Sequence, residues 1–525
     1  MPGPAKPTSY EEVSYPSYAY PQTYPDHLAV LATLSGMKPP PVHQCRVLEL
    51  GCGQGGNLVP MAYNLPESQF VGFDLSSQAI AQGQTLISSL GLTNITLTQQ
   101  DILTVSPDLG QFDYIIVYGI FSWVPEPVRE KILTICRQQL APNGVAYISY
   151  NALPGWHMYN IARDIMLYHT EDIDESQARI GGAREALAFL AETVSGQDNL
   201  YGQFLQKTNA FLSGMSDGYL YHDFMEETNA PLYFSQFMAQ AEQHGLQYLA
   251  NTEFVSPHTA PDHIVERLMA QTGSIIRTEQ YLDFLTNRTF RETALCHADV
   301  ALQRTLTPAA LDGLQVASQV LPVNPDLNIH SDALEEFAGP EAATLSTTHP
   351  LTKAALLHLN RVWPQAAPFK ALAGEAQGLL GDAAGHSPLS PEITRLATNL
   401  MLAYSRRMSL VNFHTHAPSL TLELSEYPIA SAVARYQAEA NLPVTNLYHH
   451  RVTMTQLSRH LLAYLDGSRS RSDLLDIMIQ SATQGLLAVS QEGQPVEEPA
   501  RQRSILAEEL AHLLQQLMRA ALLVG

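Results

Sequence analysis

RVLELGCGQGGN (46–57) decides the fold. Its first five residues form a short apolar run. The glycines that follow turn the chain sharply before NLVPMAYNL (57–65), which has helical spacing. The same unit then repeats. QFVGFD (69–74) predicts a second strand, and SSQAIAQGQTLISSL (76–90) a helix behind a serine cap. ITLTQQD (95–101) is a third strand, and FDYIIVYG (112–119) a fourth, apolar almost throughout as a strand covered on both faces must be. VREKILTICRQQL (128–140) is a helix stopped by Pro142-Asn143-Gly144, and VAYISYN (145–151) is a fifth strand. Strands alternating with helices through short turns predict an α/β fold, a doubly wound Rossmann-like parallel sheet over residues 45–160.

Outward from this core the pattern changes. Residues 1–44 are rich in tyrosine and proline: Tyr10, Tyr15, Tyr18, Tyr20 and Tyr24 alternate with Pro16, Pro21 and Pro25. Prolines that dense exclude a long helix and predict an extended strap, packed on a neighbour or closed over a ligand. Residues 161–300 read as a helical insertion that ends in two further strands, LQYLANTEF (246–254) and FRETALCH (290–297), which complete the sheet. Residues 301–390 read as a helical domain and 391–525 as a C-terminal one, punctuated by the loop-rich stretches 374–391 and 491–503. The length of 525 residues fits this count of about three to four domains.

Composition narrows the function. There are 29 Lys+Arg against 51 Asp+Glu, a formal net charge of −22, which disfavours a nucleic-acid binder. Cys45, Cys52, Cys136 and Cys296 stand singly, without disulfide or zinc spacing, so reduced thiols in a cytoplasmic protein are expected. The amino terminus lacks a signal-peptide pattern, and no apolar run of about eighteen residues predicts a membrane span.

The glycine turn carries the first chemistry. Gly51 and Gly53 let a ligand approach the backbone, but nicotinamide and flavin folds use such turns too. Three acidic positions separate the possibilities. Glu49 precedes the first glycine at the strand end, where a carboxylate would repel a pyrophosphate and suits a cationic ligand. Asp74 ends the second strand, placed to accept ribose hydroxyls. Asp101 ends the third, able to take an adenine amino group while Ile102 packs the ring. Adenosine, a cationic amino acid and no phosphate describe S-adenosylmethionine. Asn57, Leu75, Gln78 and Tyr118 complete the candidate donor set, with Tyr20 and Tyr24 from the strap.

VLELGCGQGGN, FVGFDLS and QQDIL resemble motifs of class I S-adenosylmethionine-dependent methyltransferases. PSYAYPQTYPDHLAVLATLSGMKPP (16–40), YGIFSWVPEPVR (118–129), SYNALPGW (149–156) and YLYHDFMEETNAPLYFSQFMAQAEQHGLQYLANTEF (219–254) are similar to the branch carrying a methyltransferase regulatory domain. That branch includes bacterial, notably rickettsial, protein-lysine methyltransferases that act on outer-membrane proteins. HPLTKAALLHLNRVWP (349–364) and NLYHHRVTMTQLSRHLLAYLDGSRSRSDLL (446–475) resemble their helical, winged-helix-like tail. The resemblance implies a protein substrate with exposed lysines, no membrane insertion, and is compatible with a homo-oligomer. In that family a His commonly precedes the glycine of GxxSWVP. Here Tyr118 does, so no imidazole role carries over.

The reacting methyl of such a fold faces the carboxyl ends of strands four and five. There the sequence places Trp123, Tyr150, Asn151 and Trp156, an aromatic wall without the (D/N)PP(Y/F) motif of base-amine methylation. An apolar pocket lowers a lysine pKa, and aromatic rings hold methylated ammonium. Tyr221, His222 and Asp223 in the insertion are further candidates to accept a proton or orient the acceptor. Taken singly, each tryptophan is more often core than pocket, which the placement of the pair after strand ends reverses, and Asp223 is as readily a helix cap. His414, His416, His449 and His450 lack acidic or cysteine partners in sequence and read as structural. The expectation is an N-methyltransferase acting on protein lysine. A small-molecule methyltransferase and a non-catalytic S-adenosylmethionine sensor are the rivals.

Overall fold

A computed structural model describes Val13 and residues 17–194, 199–252, 260–381, 390–406, 410–485, 487–491, 494–496 and 498–525. Tyr10, Tyr15 and Pro16 of the strap, and parts of the two loop-rich stretches, lie outside the described residues. The central strands are β1 (Arg46–Leu50), β2 (Gln69–Asp74), β3 (Ile95–Gln99), β4 (Phe112–Val117), β5 (Leu140–Asn151), β6 (Leu246–Asn251) and β7 (Phe290–His297). They form one sheet in the order β3-β2-β1-β4-β5-β7-β6. β1 to β5 run parallel; β7 is antiparallel to both β5 and β6, so the two strands after the insertion do complete the sheet.

Helices cover both faces. They are α1 (Pro25–Leu34), α2 (Leu58–Asn64), α3 (Ser77–Ser89) and α4 (Glu126–Gln139), followed in the insertion by α5 (Gly155–His169), α6 (Ser176–Thr193), α7 (Leu200–Ser213), α8 (Asp217–Phe224), α9 (Phe234–Gln243), α10 (Asp262–Thr272) and α11 (Ile275–Thr286). Ser76 caps α3 by accepting the Ala79 N–H at 3.2 Å, as the sequence signalled. The two-residue period of β5 sorts its side chains. Val145 and Tyr147 enter the core under α1 and α2, whereas Ala146, Ile148 and Tyr150 enter the opposite core with Phe121 and Phe237.

Beyond the sheet the expected division shifts. α12 (Pro350–Val362), α13 (Phe369–Leu379) and α14 (Pro391–Arg406) share one core, in which Leu396 and Leu400 pack with Leu356 and Leu372. The helix expected to open the last domain therefore belongs to the middle one. That unit also holds short strands, such as Gln315–Ala317 and Glu335–Ala338, which are too brief to show a period in sequence. The last core is built from α15 (Ala432–Glu439), α16 (Gln456–Leu462), α17 (Arg471–Thr483) and α18 (Pro499–Arg519), with the strand pair Val444–Thr445 and Arg451–Val452. Among the described residues no helix is long and apolar enough to cross a membrane.

Candidate active site

The glycine turn leaves β1 with Gly51, Gly53 and Gly55 all at positive φ (76, 54 and 79°). At Gly51 a Cβ would stand 2.3 Å from the Ile120 side chain, so only glycine fits. The turn sends the Gly53 N–H to Asp74 Oδ2 at 2.7 Å, while the Ser76 N–H donates to Oδ1 at 2.9 Å. Asp74 is thus locked at the end of β2, its remaining lone pairs open to hydroxyls. Beside it Leu75 is 57% exposed, a large apolar side chain open at the end of β2. Gln78 is exposed, Ile102 half-buried, and the exposed Asp101 accepts the Leu103 N–H at 2.9 Å.

Glu49 is the most telling group. It is 3% exposed, and its Oε1 accepts the Asn57 amide at 2.8 Å. Its Oε2 has no partner among the described residues. Burial pushes the carboxyl up to about 8, against the Asn57 hydrogen bond and with Asp74 adding to the rise. A buried carboxylate oxygen left open demands a cation or a donor. The residues around the turn therefore suit a ligand with hydroxyls at one end and an ammonium at the other.

The strap crosses this turn. Ser17 Oγ accepts the Gly56 N–H at 2.9 Å, and the Tyr20 N–H donates to Asn57 Oδ1 at 3.0 Å. The Tyr20 ring stacks on Tyr118, centroids 3.7 Å apart, and Tyr147 continues the stack 6.2 Å beyond Tyr118. Tyr147 Oη and Gln22 Nε2 both donate to Glu292 Oε1, at 2.8 and 2.7 Å. Tyr24 departs from expectation. It is 6% exposed, packs in the core under the sheet and stacks on His449 at 5.1 Å, so it closes over nothing.

On the acceptor side the candidates divide. Trp123 is half-buried and meets Trp156 edge-on at 6.0 Å; Trp156, 5% exposed, stacks on Phe224. Asn151 Nδ2 donates to Asn229 Oδ1 at 3.0 Å, and the Asn229 Nδ2 is buried without a partner among the described residues. Tyr150 points to the other face of β5, stacked on Phe237 at 4.2 Å, because strand side chains alternate. Tyr221 belongs to the insertion core, beside Ser176. Both ring nitrogens of His222 are engaged, Nδ1 with Glu226 at 2.7 Å and Nε2 with the Val13 carbonyl at 2.8 Å, so it ties the strap down. Those three residues are not part of the open site.

Asp223 is half-buried and faces it. Burial pushes the Tyr118 and Tyr219 hydroxyls up; Tyr20 and Tyr18 respectively add, as does Asp223 to both, while Arg451 opposes the rise at Tyr219. Arg451, from the last domain, lies over the Tyr18 ring at 5.0 Å. Tyrosines from the strap, the end of β4 and α8 therefore gather near two carboxylates, Glu292 and Asp223. Sequence reasoning named Tyr18 as part of the strap and missed Tyr147, Tyr219, Asn229 and Glu292. The period of β5 favours Tyr147 over Tyr150, but nothing local marks the others.

The four cysteines are buried free thiols. His414 Nδ1 meets Asp26 Oδ2 at 2.8 Å, and the Thr415 and His416 N–H groups donate to Asp26 Oδ1. No group of three His, Cys, Asp or Glu among the described residues is disposed to hold a metal.

A parallel sheet with an antiparallel seventh strand, a glycine turn and paired acids define a class I S-adenosylmethionine-dependent methyltransferase. Residues 47–144 match the family described as "Methyltransferase domain", 216–297 the "Predicted methyltransferase regulatory domain", and 426–522 the "PKMT, C-terminal winged helix domain". An uncharacterized protein of Rickettsia prowazekii is 36% identical over 98% of this chain and 93% of its own length. The solved structure of PKMT2 from Rickettsia typhi superposes with a TM-score of 0.86 at 29% identity, covering 97% of this chain and 100% of that one. The same protein solved in complex with AdoHcy gives 0.85. The chain belongs to the S-adenosylmethionine-dependent methyltransferases that carry a regulatory domain and a PKMT-type winged helix, and it uses S-adenosylmethionine as its methyl donor.

Proposed function

We propose that this enzyme methylates lysine side-chain amines of a protein substrate. The observation that carries the reading is the composition of the site: Tyr118 and Tyr219 close to the half-buried Asp223, Tyr18 beside Tyr219, and the Asn151–Asn229 amide pair at the end of β5. Likeness to PKMT2 along the whole chain supports it.

S-adenosylmethionine supplies a methyl group on a positively charged sulfur, which leaves as the neutral thioether when an amine attacks in line. The chain's own residues do the rest. Glu49, with Oε2 open, receives the donor's ammonium; Asp74 holds the ribose hydroxyls; Leu75 and Ile102 flank the adenine. Tyr20 and Tyr118 close the site against water, which strengthens each charge interaction inside. A lysine arrives as a cation and must lose a proton before it can attack. Tyrosine rings disfavour that cation only when it is desolvated, and Asp223 accepts the proton. Holding amine and methyl in line about 3 Å apart supplies several kcal/mol of the barrier reduction.

The four buried thiols fit a reducing, cytoplasmic setting, which we include in the proposal. The test is incubation of the purified enzyme with methyl-labelled S-adenosylmethionine and a size-fractionated lysate. Label on lysine in protein, located by mass spectrometry, supports the reading; label confined to small molecules, or absent, overturns it.

A further inference from the structure

One side chain of the winged-helix unit reaches the glycine turn. His449 is fully buried (0% exposed) between the strands Val444–Thr445 and Arg451–Val452, and its backbone is held at φ 65°, a conformation that residues with a Cβ rarely adopt. Its Nε2 sits 2.8 Å from Asn57 Oδ1. The direction of every bond at this junction is set by its neighbours. The Tyr20 N–H can only donate, and it points at the same Asn57 Oδ1, so that atom must be the amide oxygen. The amide nitrogen then donates to Glu49 Oε1 at 2.8 Å and to Thr23 Oγ1 at 3.0 Å. An oxygen facing His449 leaves the ring one role, an Nε2–H donor, with Nδ1 bare and unpartnered among the described residues. Imidazole, amide and carboxylate thus form one directed chain that ends at the open Oε2 of Glu49.

We infer that His449 is a positioning residue for the methyl donor, through which the C-terminal unit orients Asn57 and so sets the carboxylate that receives the donor's ammonium. The inference rests on the role given to Glu49 above. It makes the winged helix part of the donor site: a chain whose last unit is undocked keeps the Tyr20 N–H on Asn57 Oδ1 but loses the His449 donor, and holds the amide less firmly.

The experiment is calorimetry on the full-length chain with two ligands. S-adenosylhomocysteine carries the ammonium; 5′-methylthioadenosine keeps the nucleoside and lacks the amino-acid group. His449→Ala should weaken S-adenosylhomocysteine about five- to tenfold, the size of one lost buried hydrogen bond, and leave 5′-methylthioadenosine unchanged. His449→Gln, whose amide nitrogen can stand where Nε2 stands, should restore most of the loss. His449→Asn tolerates the left-handed backbone but falls short of Asn57, so it should behave as the Ala variant and replaces it if Ala fails to fold. Equal weakening of both ligands, or none, overturns the inference. Glu49→Gln is measured alongside. If Glu49→Gln also treats the two ligands alike, the Glu49 role falls and the inference with it. If Glu49→Gln discriminates and the His449 variants do not, the inference alone falls.

Discussion

Tyr20 and Tyr118 lie face to face, ring centroids 3.7 Å apart and planes 25° from parallel, joining the amino-terminal strap to the segment that leaves β4. Such a contact contributes about 0.5–1.5 kcal/mol beyond the area it buries, enough to bias a strap but not to fold a domain. Four residues on, Tyr24 sits in the core at 6% exposure. The strap therefore does two different jobs in adjacent turns.

Those jobs separate by mutation. Tyr20→Ala should weaken S-adenosylhomocysteine binding while leaving the urea midpoint nearly unchanged. Tyr24→Ala should lower stability by about 3–5 kcal/mol, as removal of a buried aromatic ring does. If Tyr20→Ala destabilises as much as Tyr24→Ala, the stack is core packing and the strap does not serve the site.

Glu49 predicts a proton balance. With its carboxyl pushed up to about 8 by burial, it holds its proton at pH 7. An ammonium placed against Oε2 favours the carboxylate, so the pKa falls and a proton leaves as the ligand binds. Calorimetry of S-adenosylhomocysteine at pH 7 in buffers of different ionisation enthalpy should show release approaching one proton. Glu49→Gln should abolish the release. Proton uptake, or release unchanged in the variant, would contradict the role.

The sheet and its glycine turn were legible because their signals are local. An apolar run, a glycine cluster and an acid at each strand end sit within a few residues of one another. Glu49, Asp74 and Asp101 could be named for that reason. Tyr150 was misplaced although the information was present: Tyr147 and Tyr150 differ by an odd number of positions in one strand and must face opposite ways. His449 was not legible at all. It lies 392 residues from Asn57, and in sequence its neighbours suggest only a paired histidine. The same holds for Glu292, which meets Tyr147 across the sheet through a strand that returns only after the insertion.

Asp223 and His222 are adjacent on α8 yet carry opposite expectations. Asp223→Asn removes the carboxylate proposed to accept the proton and should cut the turnover rate by about a hundredfold or more, with donor affinity little changed. His222 binds Glu226 and the Val13 carbonyl with both nitrogens. His222→Gln should therefore act on the strap, raising the KM for the donor more than it lowers kcat. Equal kcat losses in the two variants would count against this division.

The last expectation concerns acid. Burial, with the neighbouring His450 adding, lowers the His449 pKa from an ordinary value near 6.5 to about 3. In the unfolded chain the ring takes a proton near pH 6.5; in the folded chain Nδ1 has no acceptor among the described residues to share one. Between those values the unfolded state binds more protons, so stability is complete above about pH 6.5 and falls as pH drops toward 3. The slope from this one group approaches about 1.4 kcal/mol per pH unit. Asp26 titrates lower. Burial raises its pKa, but hydrogen bonds from His414, Thr415 and His416 hold it below 3.8, so its loss comes after the window between pH 6.5 and 5. His416 is also lowered by burial and shares that window, which makes a variant necessary. Glu49, raised to about 8, takes up a proton on folding in the same window and opposes the fall, so the readout is the difference: between pH 7 and 5 the urea midpoint of the wild type should drop relative to that of His449→Gln, which cannot protonate. Parallel slopes in the two proteins would show that His449 takes up its proton in the folded state as readily as in the unfolded one, and the neutral ring with a bare Nδ1 would then be wrong.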